Sequence, residues 1–335
     1  MIKRIGKYTL KFLDEPKITG FGSVAGKKEA EGPLGKNFDK IFYDPRAGQK
    51  TFEKAEILFQ QEALTAALGR ADRRAEDIDM VFAGDLLNQC ISSSYGMKEF
   101  RAPYFGQYGA CSTMAQSLIL AAIAVSSGAA RLSAAVTSSH FCTAERQYRM
   151  PLEYGGQRTT TAQWTVTGAG GCLLEPQGRA PSLAAAVIGK ITDLGIKDMN
   201  NMGAAMAPAA AGTILDFLSD SGSSVRDYDL ILTGDLGRVG SECLYNLLER
   251  EGVDIKGRHN DCGKMIYGEN QDVHAGGSGC GCCASVLCST ILPDMISGKY
   301  KNILFVATGA LMSPVSSGQG SSIPAIAHLL NIQAP

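Results

Sequence analysis

Apolar and polar positions along this chain fall into two kinds of segment that follow one another in a fixed order. In "EDIDMVFAGDLLNQ" (76–89) an acidic turn leads into a short apolar run that stops at Gly-Asp. Such a run, bounded by turn residues, predicts a strand. The stretch "FEKAEILFQQEALTAALG" before it reads as a helix. The same order returns in "RDYDLILTGDLGRV" (226–239), preceded by the helical "AAMAPAAAGTILDFLSDSG", so that Asp85 and Asp235 lie 150 residues apart. A second pair of segments, 110–139 and 281–310, runs helix, Ser-Gly stop, strand and Thr-containing turn, with Thr137 and Thr308 171 residues apart.

A repeat in the same order predicts two halves, 1–175 and 176–335, packed together. The second half is longer by about twenty residues, which fall in "KGRHNDCGKMIYGENQDVHAGG" (256–277). Helices alternating with β-rich runs imply mostly parallel sheets covered by helices. The helices opening near Cys111 and Cys282 are rich in Ala, Ser, Cys and Gly, the composition of a helix buried all round. The expected fold is therefore α/β, with two sheets sandwiching two central helices.

Composition narrows the function. With 45% hydrophobic and 19% charged residues in 335, the chain can bury a large core. A net charge of −1 and the lack of a basic tract interleaved with aromatics argue against nucleic acid. The charged opening "MIKRIGKYTLKFLDEP" does not read as a signal peptide, and no run reaches the ~18 apolar residues of a membrane span. The chain is expected to be soluble, reaching a membrane by way of a partner. Four of its ten Cys crowd into "CGCCASVLC" at 280, 282, 283 and 288. A zinc site needs a second ligand pair, and none follows, so these Cys read as small packing residues and no metal is expected. Adjacent residues such as His259, Asp261 and Cys262 rarely converge on one ion.

The chemistry concentrates at "YGACSTMAQSL" (108–118), where a turn of small residues places Cys111 at a helix start. Unpaired N–H groups and the helix dipole there favour a thiolate, and the same place accepts a ligand carboxylate. The position serves nucleophilic attack or anion binding.

A duplicated layered chain with "ACST" opening a buried helix resembles the thiolase superfamily, including the ketoacyl synthases. That resemblance implies five layers (αβαβα) with mixed sheets. Longer stretches, among them "GACSTMAQS", "SSHFCTAERQYRMPLEYGGQ", "DLGIKDMNNMGAAMAPAAAGTI" and "HNDCGKMIY", resemble the stage V sporulation protein AD family of spore formers over roughly residues 20 to 328. The resemblance implies a protein that helps load pyridine-2,6-dicarboxylic acid (dipicolinic acid) into the forespore. It also implies a place at the forespore or spore inner membrane, beside other stage V sporulation A membrane proteins.

Condensing enzymes of the superfamily add two His, or His and Asn, to the Cys, for proton transfer and an oxyanion hole. Here the corresponding places read "TGDLGRVG" at Asp235 and "GGSGCGCC" at Ser278. Asp235 beside a thiolate raises the Cys pKa. A non-catalytic binding protein, with no cofactor, is the expectation. The alternative is a Cys-dependent acyltransferase or condensing enzyme using His259 or His274 as an unorthodox base.

A planar dicarboxylate needs paired donors and an apolar slot, for which His140 and Arg149 are the nearest sources after the Cys111 helix. The expected ligand-binding set is Cys111, His140, Arg149, Asp235, His259 and Ser278. The ligand is dipicolinic acid or its calcium chelate, with Asp235 or Asp261 facing the metal in the second case. A homodimer is expected, with the strand "RLSAAVTSS" pairing edge to edge.

Overall fold

A computed structural model describes residues 1–148 and 158–335. Each half lays five strands in the same order. In the first half the order is Tyr104–Gln107, Met80–Gly84, Ser133–Ser139, Gly168–Glu175, Lys17–Gly26, and in the second His259–Asp261, Leu230–Thr233, Asn302–Ala310, Ala325–Gln333, Ser182–Val187. In both, the first three strands run parallel and the fourth runs antiparallel to its neighbours on either side. The half-sheets meet at one backbone pair, Ser182 beside Lys17, so hydrogen bonding runs continuously through both. An N-terminal hairpin, Ile2–Ile5 with Thr9–Phe12, extends the second half-sheet from Ser182–Val187.

Strand residues point to alternate faces, and here both faces are covered. Phe82, Leu232 and Phe305 point inward, into one core with Leu118, Ile119, Leu287 and Ile291 of the central helices. Their neighbours Val81 and Ala83 point outward beneath Leu64 and Ala67 of the helix Phe52–Ala71. Ile231 and Val306 do the same beneath Ile214 and Phe217 of Met202–Ser221. This gives five layers: helix, sheet, paired central helices, sheet, helix. Met202–Ser221 is long and apolar enough to cross a membrane, yet it packs on the sheet through Met206, Ile214 and Phe217.

The central helices are Thr113–Ser126 and Cys280–Val286. The second widens into a π turn at Leu287–Ile291 before Leu292–Ile296. Pro293 has no N–H for the carbonyl four residues back, which is where the helix widens. Small residues let this helix lie close to the sheet: a Cβ on Gly170 would stand 2.4 Å from the Ala284 carbonyl oxygen.

Two expectations change. Register sets Val136 beside Ala83 and Val306 beside Thr233, so the counterpart of Thr308 is Ser138, one residue on from Thr137. The strand Ser133–Ser139 is not an edge. It is bonded to Met80–Gly84 on one side and Gly168–Glu175 on the other, and every residue in it is buried. A short apolar run looks the same in a central strand and at an apolar edge. The open edge of the first half-sheet is Tyr104–Gln107.

Candidate functional site

Cys111 sits in the turn between the edge strand Tyr104–Gln107 and its central helix. Ala110 takes a left-handed conformation (φ 50°), and hydroxyls of the following residues tie the turn down. Ser112 Oγ donates to the Gly109 carbonyl (2.6 Å) and Thr113 Oγ1 to that of Ala110 (2.6 Å). Gly309, on a strand of the other half, props the turn from behind. A Cβ there would fall 2.3 Å from the Gly109 oxygen, so only glycine lets the strand approach this closely.

The Cys111 side chain is buried, 6% exposed, with Sγ 3.9 Å from Ser278 Oγ and next to the Asp235 carboxyl. Asp235 is wholly buried and accepts from Thr308 Oγ1 (2.8 Å) and the Gly279 N–H (3.0 Å). Burial pushes the Cys111 thiol well above its ordinary value, and the negative Asp235 pushes it further. Burial likewise raises Asp235 to about 7, against the opposing pull of the nearby Cys111 thiol and of its hydrogen bonds from Gly279 and Thr308. Here desolvation and a neighbouring acid outweigh the helix dipole. The resting site holds a neutral thiol.

In front of Sγ lies a cavity of about 50 Å³. Its walls are Leu86, Tyr108, Tyr148 and the thioethers of Met199, Met202 and Met312, with Thr165, Ser278 and Glu145 as polar edges. Glu145 lies 3.4 Å from the Arg158 guanidinium. Among the described lining residues there is no Lys, Arg or His. Tyr148 donates to the Leu86 carbonyl (2.6 Å) and its oxygen lies 3.0 Å from that of Tyr108. This tyrosine pair stands between the cavity and an outer groove bordered by Asn88, Gln89, Pro314 and Ser316.

Of the expected set, the structure brings together Cys111, Asp235 and Ser278. It does not bring His140 or His259 to them. His140 Nε2 lies 2.8 Å from the Pro45 carbonyl oxygen, its Nδ1 accepts from the Cys142 N–H, and its ring packs on Phe52 and Phe59. His259 is held by Thr233 Oγ1 (2.9 Å) and Tyr245 OH (2.8 Å), and burial pushes it down to about 3. His274 pairs with Asp272 (3.2 Å) and does not line the cavity either. Asp261 faces no open site, since its oxygens accept from Thr233 Oγ1 and from the N–H groups of Leu236, Gly237 and Lys264. Arg149 lies outside the described residues. The clustered Cys pack as small residues: Cys283 Sγ approaches the Cys111 carbonyl (3.6 Å), and Cys288 Sγ lies 3.6 Å from Cys172 Sγ. Sequence reasoning missed Tyr108, Tyr148 and the three Met. Tyr108 opens the Cys111 motif, and Met199 and Met202 stand in "DMNNMG", the only signals available for them.

The family profile of stage V sporulation protein AD matches residues 6–333. The chain belongs to the stage V sporulation protein AD family. The member from Bacillus subtilis (strain 168) is 43% identical over 327 residues, 98% of this chain and 97% of that protein. Among solved structures, 3-oxoacyl-[acyl-carrier-protein] synthase III from Aquifex aeolicus VF5 superposes with a TM-score of 0.58 at 15% identity, covering 95% of this chain and 99% of the other. Xanthomonas campestris OleA bound to cerulenin gives 0.62 at 14% identity, covering 96% and 99%. At that identity the likeness establishes a thiolase-like fold for this family member and nothing about its chemistry.

Proposed function

We propose that this family member is a binding protein rather than a condensing enzyme. Its ligand is dipicolinate, carried as the neutral one-to-one calcium chelate. One observation carries the reading: Cys111 is a protonated thiol facing the Asp235 carboxyl, in a cavity whose described lining has no imidazole. Acyl transfer needs a thiolate and a proton donor beside it. The cavity suits a flat ring between Tyr148, Leu86 and the thioethers, with hydroxyls of Thr165 and Ser278 at its edge. An uncompensated dianion in such a slot costs heavily. The chelate has no net charge, and its metal tolerates the nearby Glu145. In this reading the protein works at the spore inner membrane or the forespore membrane with other stage V sporulation A proteins. A second copy docks on the open edge Tyr104–Gln107.

Calorimetric titration with dipicolinate, with and without calcium, tests the ligand. Saturable binding with calcium that benzoate does not reproduce supports it, and equal binding of dipicolinate and benzoate overturns it. Incubation with acetyl-CoA followed by mass spectrometry tests the alternative: an acyl-Cys111 adduct that turns over would make the protein an enzyme.

A further inference from the structure

The N-terminal hairpin carries an unusual charge arrangement. Residues 2–12 contain Lys3, Arg4, Lys7 and Lys11, all exposed, and no acid. The whole chain is −1 and the hairpin +4, so everything else sums to −5. The molecule is polarised, with its positive end on one edge of the second half-sheet.

Among the described residues no acid forms an ion pair with Lys3, Arg4, Lys7 or Lys11, and the one acid at the hairpin turn, Asp220, lies beside Lys7 and away from Lys3 and Lys11. Asp14 is bound by the chain's own amino terminus (2.6 Å), Glu15 lies 3.6 Å from Lys17, and Asp216 lies 2.8 Å from Lys190. Asp220 accepts from the N–H groups of Lys7, Tyr8 and Thr9. Lys3 and Lys11 stand directly opposite each other across the two strands. Like charges so placed oppose pairing. A lysine on the outermost strand is a common guard against edge-to-edge aggregation, and that explains Lys3. It does not explain Lys11, whose strand is paired on both sides.

The same face adds an apolar element. The Leu13 N–H donates to the Met1 carbonyl (2.9 Å), which sets Met1 and Leu13 opposite each other next to the lysine pair. Side chains alternate along a strand, so Met1 and Lys3 share a face, as do Lys11 and Leu13. Met1 is 73% and Leu13 51% exposed. Exposed aliphatic side chains flanked by unpaired cations match the boundary of an anionic bilayer, where apolar groups enter the acyl region and cations meet headgroup phosphates.

We propose that the hairpin face of Met1, Lys3, Lys11 and Leu13, with Lys7 at the turn, docks the protein directly on an anionic lipid surface. This places the remaining −5 of the chain away from the membrane. The inference stands apart from the ligand reading, since it uses no residue of the cavity.

The test is co-sedimentation of the full chain with vesicles of phosphatidylglycerol mixed with phosphatidylcholine, against phosphatidylcholine alone. Binding is expected only to the anionic vesicles, and high salt should weaken it. Lys3→Glu with Lys11→Glu changes the charge by about four units and should lower the affinity roughly 600-fold, taking about fivefold for each unit of charge. Lys36→Glu with Lys50→Glu, the same charge change on exposed sites elsewhere, should have far less effect. Lys3→Glu alone turns the like pair into an opposite pair, so it should bind anionic vesicles less well while melting at a higher temperature. That combination separates docking from damage to the fold. Leu13→Ser should weaken vesicle binding and leave retention on double-stranded DNA unchanged. The proposal is overturned by equal binding of wild type and the double variant, by equal binding to neutral vesicles, or by DNA retention that matches vesicle binding in every variant.

Discussion

The Asp235 carboxyl lies beside the Cys111 thiol, and its negative charge adds to burial in holding that thiol protonated, while burial raises the acid itself to about 7. One residue comes from each half of the chain. The pair sets the resting charge of the cavity floor and makes the thiol's reactivity a direct measure of Asp235.

Asp235→Asn removes a negative charge beside Sγ and keeps the side-chain shape. Alkylation of Cys111 by iodoacetamide at mildly alkaline pH should accelerate roughly tenfold, corresponding to about one unit of thiol pKa. Peptide-level mass spectrometry isolates Cys111 from the partly exposed Cys142 and Cys243. An unchanged rate would mean that burial alone sets the thiol.

The same substitution should change how stability depends on pH. Asp235 binds its proton more tightly folded than unfolded, so its contribution is complete below the unfolded value of 3.8 and is lost as pH rises toward 7. The asparagine variant has no such loss. Its melting temperature relative to wild type should therefore rise between pH 5 and pH 8 on a scale of about 2 kcal/mol. A difference independent of pH would show that Asp235 is already ionised in the acid range.

Met202→Trp should fill the cavity while leaving Cys111, Asp235 and Ser278 themselves unchanged. Dipicolinate affinity should fall at least about tenfold, while stability drops by about 1–2 kcal/mol from overpacking. Calorimetric titration and a denaturant melt of the same sample read both effects. Undiminished binding would place the ligand elsewhere, with the outer groove by Pro314 the next place to look.

Assembly through the open edge should depend on Phe105. It is 52% exposed on the Tyr104–Gln107 strand and stacks on Phe82 with ring centroids 5.3 Å apart. Light scattering at micromolar concentration should give a dimer mass for wild type and a monomer mass for Phe105→Glu, since a charge there opposes pairing of two edges. A wild-type monomer would refute the edge pairing.

The duplication was legible because it is written in spacing. Asp85 and Asp235 follow equivalent strands, although their partners differ: Asp85 accepts from the Leu87 N–H and from Ser93, and Asp235 from the Gly279 N–H and from Thr308. What spacing does not encode is lateral order within a sheet, so Ser133–Ser139 passed for an edge. Histidines raised the same difficulty. His140 and His259 stand in polar stretches that suggest a pocket, but local partners, the Pro45 carbonyl and Tyr245, hold them elsewhere. Tyr108 and Tyr148 were unreadable for the opposite reason: their importance comes from meeting each other, 40 residues apart in sequence.

The cavity is bounded by Cys111 and Tyr148 on one side and by Met202, Ser278 and Met312 on the other, from halves whose sheets share a single bridging backbone pair. It is a seam, and whatever it holds acts as a rivet across it. Slippage of one half against the other reshapes every wall at once. Because the central helices of both halves share one core, the alignment of the halves and the shape of the cavity are one quantity, and neither half can shift without disturbing the packing of the other.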